Sequence, residues 1–241
     1  MVLAALFGAL SASTLLVGAL LAYAMRPSPR LTAIIMALGS GLLIGSVSYD
    51  LVADAQVSVP IAGVAISMLA GAAVFVVGSR IIDTRVGQRG KGDKDSGVSS
   101  PLPIVLGTVL DGIPESFVLG LSVLSGAVSV PLFVGIGLSN LPEGLAGSAG
   151  LRTQGWPRGR VLAMWGLVVA TSAAAAAVGH QVLANDDGTW SGIAQTFAAG
   201  ALLAMIADTM VPDSYAVERE WTGGLVVAGF ALSLLIAAVL A

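Results

Sequence analysis

The sequence predicts an all-α protein embedded in a membrane, and three observations predict it: composition, recurrent apolar runs and the placement of charge. Of 241 residues, 56% are apolar and only 10% charged, whereas about a quarter of a soluble domain is charged. Apolar runs of roughly 20 residues recur along the whole chain, each long enough to cross a ~30 Å hydrocarbon core as a helix. They lack the two-residue alternation of barrel strands, and unsatisfied backbone groups in lipid cost several kcal/mol each, which leaves helix. A net charge of −3 is not the basic balance of a nucleic-acid binder. Without cysteine there is neither disulfide nor thiolate metal site.

Taken in order, the apolar spans cover about 2–25, 31–53, 57–80, 101–124, 128–151, 159–183, 190–212 and 221–241, eight transmembrane helices in a single domain, 1–241. The first has no basic region before it and runs up to Arg26 and Arg30, so it reads as a retained span rather than a cleaved signal. If alternate loops are assigned to one side, that side holds Arg26, Arg30, Arg80, Arg85, Arg89, Lys91, Lys94, Arg152, Arg158, Arg160 and Arg219, which are all eleven basic residues. The basic loops are then cytoplasmic and both termini outside, as in a multi-pass protein of the cell membrane. The longest polar stretch lies in 81–100, where Asp83 to Ser100 reads as a flexible cytoplasmic connector. Small residues, including Ala173 to Ala177, read as close helix packing. Met36, Met68, Met164, Met205 and Met210 read as core filling.

Three carboxylates do not belong in such spans. Asp111, Glu115 and Glu143 lie deep in spans four and five, where an ionised side chain costs ~2.5–3.5 kcal/mol on insertion scales. Asp111 stands ten residues past Pro101, about 15 Å along a helix and so near mid-membrane. Glu115 follows one turn later on the same face, and Ser139, Asn140 and Glu143 share a face of span five. The segments repeat: Leu110-Asp-Gly-Ile-Pro-Glu115 matches Leu138-Ser-Asn-Leu-Pro-Glu143 at an offset of 28. Because the spans are antiparallel, Asp111 should lie level with Glu143 and Glu115 with Ser139. Pro114 and Pro142 each remove one N–H and release the carbonyl four residues earlier, of Leu110 and Leu138. Paired interrupted helices in a repeat point to a transporter's binding site. A cation would balance the carboxylates and use the amide, hydroxyl and carbonyl oxygens. The competing reading has protonated carboxyls joining two helices.

At these residues the chain resembles the ZIP (Zrt/Irt-like) family of divalent metal permeases. Asp111-Gly-Ile-Pro-Glu-Ser116 and Ser139-Asn-Leu-Pro-Glu-Gly144, followed by Leu145-Ala146, stand where that family carries motifs of the type H-N-x-P-E-G. Weaker echoes lie in Gly39-Ser-Gly-Leu-Leu43 and in Asp208 to Pro212. The resemblance implies an eight-helix ZIP-like bundle, a homodimer, uptake of a divalent cation, and metal-coordinating positions at Asp111, Glu115, Ser139, Asn140 and Glu143. Asp111 replaces the family's helix-four histidine, Gly112 an asparagine, and Ser139 a helix-five histidine or amide. Helix six has Trp165-Gly166 where many relatives carry a bridging glutamate, so a single site is implied rather than two. An all-oxygen donor set suits Mg, Ca or Mn, while the family adds Zn and Fe. The metal would be transported substrate rather than a tightly bound cofactor.

Other polar residues lie nearer the span ends. His180 with Asp186 and Asp187, and Asp50 with Asp54, stand toward the outside, whereas Asp208, Asp213, Glu218 and Glu220 lead toward the cytoplasm. These are a mouth and an exit for cations, or solvated helix ends. The sequence carries no Walker A motif, no Gly-x-Gly-Asp and no His-Glu-x-x-His. It therefore predicts no enzyme, and secondary or facilitated transport. The rival is a degenerate relative that moves no metal and serves as a sensor, a scaffold or a carrier of protons or another solute.

Overall fold

The structure is a computed structural model. It describes residues 1–25, 28–91, 102–123, 129–183, 186 and 188–240, with side chains except at 83, 85–91, 102–107, 109–111, 182 and 240. The described residues are helical throughout their regular structure, as the composition requires, and form no strand. In chain order the rods are α1 Val2–Ala24, α2 Pro29–Ala55, α3 Ile61–Lys91, α4 Leu102–Ser122, α5 Val130–Thr153, α6 Arg158–Val182, α7 Thr189–Glu218 and α8 Thr222–Leu240. Six of them, α1, α2, α3, α6, α7 and α8, are long and apolar enough to cross a membrane. The remaining two, α4 and α5, carry the repeated polar motif.

Local signals set the rod ends. Ser28 and Ser129 accept hydrogen bonds from the Leu31 and Leu132 amides at 3.2 Å, and a proline stands in the first turn of α2 and of α5. Before α7, Asp186 accepts from the amides of Gly188 (3.1 Å) and Ser191 (2.7 Å). Gly188 supplies the left-handed φ of 96° that this turn needs.

Packing divides the rods into two groups. In one, α1 lies against α5 and α6, and α4 against α6; in the other, α2 lies against α8, and α3 against α7. The groups meet chiefly where α2 faces α5 and α4 faces α7. Of the apolar stretches of α2 and α7, 56% is buried, against 17% for α3 and α8, which marks the latter as peripheral. A large core between the groups joins Leu43 and Leu51 of α2, Val118 and Leu119 of α4, Ile136 of α5 and Met205 of α7. A smaller one inside the first group holds Leu15, Leu151 and Trp165. The methionines pack: Met36, Met205 and Met210 belong to the large core and Met164 lies against the smaller one.

Glycine sets how closely the helices of a group approach. A Cβ on Gly41 would meet the Val226 carbonyl and stand 2.7 Å from the Phe230 amide nitrogen, and one on Gly229 would meet the Leu38 carbonyl. α2 and α8 therefore touch backbone to backbone, the arrangement small residues permit in membranes. Between the groups the fit is looser, since a Cβ on Gly135 would meet the side chain of Leu43 at 3.0 Å.

The charges separate by end. At one end Arg30 forms a bidentate pair with Glu218, at 2.8 and 3.0 Å, joining the start of α2 to the end of α7. At that same end Arg152 donates to the Ala22 carbonyl at 2.7 Å, and Arg160 lies 3.9 Å over the ring of Trp156. The opposite end carries Asp50, Asp54 and Asp186, and His180 beside the Met1 amine at 3.2 Å.

Two expectations about local structure are corrected. The connector 81–100 begins as helix, because α3 runs on to Lys91; with no proline between Pro60 and Pro101, a nucleated helix propagates past the apolar stretch at little cost. Its remainder, 92–100, lies outside the described residues. Secondly, α4 and α5 are not broken at Pro114 and Pro142 but continue as α-helix through them, although each proline still has no N–H for the carbonyl four residues earlier. Wider-pitched hydrogen bonding occurs in π-helical segments at Val47–Val52 of α2 and Ile206–Met210 of α7, each holding an aspartate, Asp50 and Asp208.

Gly41→Ala should lower the thermal unfolding midpoint in detergent by the equivalent of about 1–3 kcal/mol, the cost of forcing two packed backbones apart. Gly166→Ala, with nothing near its Cβ position, should leave that midpoint unchanged or slightly raised.

Candidate functional site

Glu115 is 1% exposed, far below what a carboxylate normally tolerates. It lies 13 residues into α4, about 20 Å along the rod and within the middle of the bundle. Across from it, on the antiparallel α5, stands Ser139, fully buried, whose Oγ is 3.4 Å from Glu115 Oε1. The repeat implies this register, in which Glu115 and Ser139 are level. The same Oγ is 3.0 Å from the Ile136 carbonyl of its own helix. A serine hydroxyl has a single proton, and the shorter, local acceptor competes for it. Ser139 thus offers its hydroxyl to two acceptors, one of them the Glu115 carboxyl.

The remaining predicted ligands are placed by helix register. Asn140 is 3% exposed, next to Ser139, with Pro142 also buried. Glu143 is half-buried one turn beyond Ser139, and its Oε2 is sealed from solvent. Asp111 occupies α4 one turn before Glu115, but its side chain lies outside the described residues, so its predicted level with Glu143 does too. Among the described residues no three His, Asp or Glu side chains gather closely enough to hold a metal ion together.

Neighbouring helices add groups that sequence reasoning had not placed. A Cβ on Gly112 would stand 3.7 Å from Ser172 Oγ of α6, and Ser172 is 3% exposed. The α6 residue facing Gly112 is thus Ser172. Trp165, where the family comparison looked for a bridging acid, is seven residues away, about 10 Å along the rod. It packs fully buried and donates its indole N–H to Ser148 at 2.8 Å. From α2, a Cβ on Gly39 would stand 3.2 Å from the Ser139 amide nitrogen, so the Gly39-Ser40 pair abuts the site from the other group. Sequence alone held a signal for this in the small residues Gly39-Ser-Gly41.

The outlying polar residues divide. Asp50 accepts a short hydrogen bond from Ser129, the N-cap of α5, and so links the two groups at the acidic end. Asp54 lines a polar cavity of about 290 Å³ with Ser58, Ser191 and Gln195. Asp186 is committed to the first turn of α7, and Asp187 lies outside the described residues. Glu218 is held by Arg30.

Compared with known protein families and with curated proteins, the chain matches none.

The absence of native cysteine makes the α4–α6 register directly testable. Gly112→Cys with Ser172→Cys should crosslink under mild oxidation, because the separation suits a disulfide. Gly112→Cys with Trp165→Cys should not, as read by gel mobility after proteolysis between the two helices.

Proposed function

We propose that this chain is a divalent-cation permease of the cell membrane, resembling the ZIP family, which passes cations through a mid-membrane site on α4 and α5 by secondary or facilitated transport. The observation that carries the proposal is Glu115: a carboxyl 1% exposed within the bundle, 3.4 Å from the fully buried Ser139 hydroxyl of the antiparallel helix. Glu115 and Ser139 would form the heart of the site, with Asn140, Glu143 and Asp111 completing an all-oxygen set. Zinc, manganese, iron, magnesium and calcium are the candidate substrates. In this reading all eight rods cross the bilayer, both termini lie outside and the basic loops are cytoplasmic. The support is the clustering of Arg30, Arg152 and Arg160 at one end of the bundle.

The path would run from Asp54 and Asp50 at the acidic end to Asp208 and Asp213 near the basic end. Two aspartates on that path, Asp50 and Asp208, sit in π-helical segments, a feature often found at functional sites.

A second reading is favoured by the same hydrogen bond. A protonated Glu115 donating to Ser139 would join α4 to α5 with no metal present, as in a degenerate relative acting as sensor, scaffold or carrier of protons or another solute. Purified protein in liposomes loaded with a metal-sensitive dye separates the two. Under the permease reading wild type moves a divalent ion, and Glu115→Gln or Glu143→Gln lowers the rate roughly tenfold or more, on the scale seen when a metal site loses a supporting group. Exposed Arg158→Gln, outside the site and the path, leaves the rate unchanged. Equal flux in wild type and Glu115→Gln overturns the site. No flux of any of the five metals, with no metal retained on equilibrium dialysis, favours the second reading.

A further inference from the structure

A groove of about 660 Å³ lies between α4 and α7, on the side of α4 turned away from the site. Ile113, Pro114 and Phe117 form one wall and Trp190, Ala194 and Phe197 the other, with no charged side chain among the described lining residues. On α4, Glu115 is two residues from Ile113, about 200° round a helix of 3.6 residues per turn. The groove therefore backs onto the helix that presents the buried carboxyl.

Three features identify the occupant. The groove's α7 wall extends from Trp190 in the first turn to Ala198, about 12 Å at 1.5 Å per residue. That length runs from the acidic end toward the middle, close to the ~15 Å depth of one leaflet. Its mouth is framed by Trp190, 66% exposed, and Ile113, 49% exposed, and a tryptophan at the water end is the usual marker of the headgroup level. Finally, the described lining is made of apolar side chains alone, and a slot about 12 Å long between two helices receives a flexible hydrocarbon chain lengthwise.

We propose that this groove binds one acyl chain of a phospholipid from the leaflet at the acidic end, wedged between α4 and α7 where the two helix groups meet. The bound chain braces Pro114 from behind the site, and the headgroup stays beside Trp190.

Native mass spectrometry of the full chain, released from phosphatidylcholine nanodiscs into mild detergent, tests this. Wild type should retain one phospholipid per chain. Ala194→Phe, which fills the groove, should lose it. Ala62→Phe, on the exposed face of α3, should keep it. A diazirine-tailed phosphatidylcholine on wild type gives an answer without any substitution: adducts should fall on half-buried Phe117 and Phe197, which lipid bound only at the periphery does not reach. The same retention in Ala194→Phe as in wild type, labelling confined to the periphery, or a dimer that Ala194→Phe abolishes would each overturn the assignment.

Discussion

A carboxyl group sealed inside an aliphatic bundle is the constraint that organises this structure. Glu115 can remain there only if another element brings it a polar partner, and the nearest candidate in sequence space is the repeated motif on α5. Yet α4 and α5 touch each other little. Their mutual position is set by others: α1 packs on both, α6 holds α4, and α2 lies along α5 at Gly39. Glycine enables this. A Cβ on Gly18 of α1 would meet the Leu141 carbonyl, and one on Gly144 of α5 the Leu15 carbonyl, so α1 and α5 lie in backbone contact beside Pro142. A polar pair at the centre thus depends on small residues of α5 itself and of α1, the helix packed directly against it.

Sequence disclosed the elements and the polar pair because both follow from local rules. Apolar length marks a span, and an antiparallel repeat with a proline and glutamate in register puts Glu115 level with Ser139. What sequence could not disclose were features fixed by neighbours. Proline was the visible sign of irregular backbone, but α4 and α5 remain α-helical at Pro114 and Pro142, whereas the π-helical turns arise in α2 and α7, where nothing in the sequence names them. The level of α6 against α4 is likewise a matter of packing, so Ser172, not Trp165, faces Gly112. Asp50 and Asp186 look alike as acids near helix ends; one bridges to Ser129 and the other caps α7. Each choice depends on which amide or hydroxyl the fold brings within 3 Å or so, information that spacing does not contain.

The pattern of polar contacts between rods has a mechanical consequence. Tyr23 with Trp156, Arg152 with Ala22 and Trp165 with Ser148 tie together α1, α5 and α6 with their connecting turn. Ser67 with Ile193, Ser214 with Ala33 and Arg30 with Glu218 tie α2, α3 and α7. Each set lies inside one group. Asp50 with Ser129 bridges them, and the rest of that seam is formed largely by side chains such as Leu43, Leu119, Ile136 and Met205. Displacing one group against the other therefore exchanges dispersion contacts of ~0.1–0.2 kcal/mol per atom pair and, among the described contacts, the Asp50–Ser129 hydrogen bond, worth about 1 kcal/mol. Pulling a helix out of its own group instead parts backbone surfaces that glycine brings into contact. Since Glu115 and Ser139 belong to the same group, a relative shift of the two groups would carry their pairing along intact and change only what α2 and α7 present to it. Under the proposed function, this is how a buried site would meet first one side of the membrane and then the other without being dismantled.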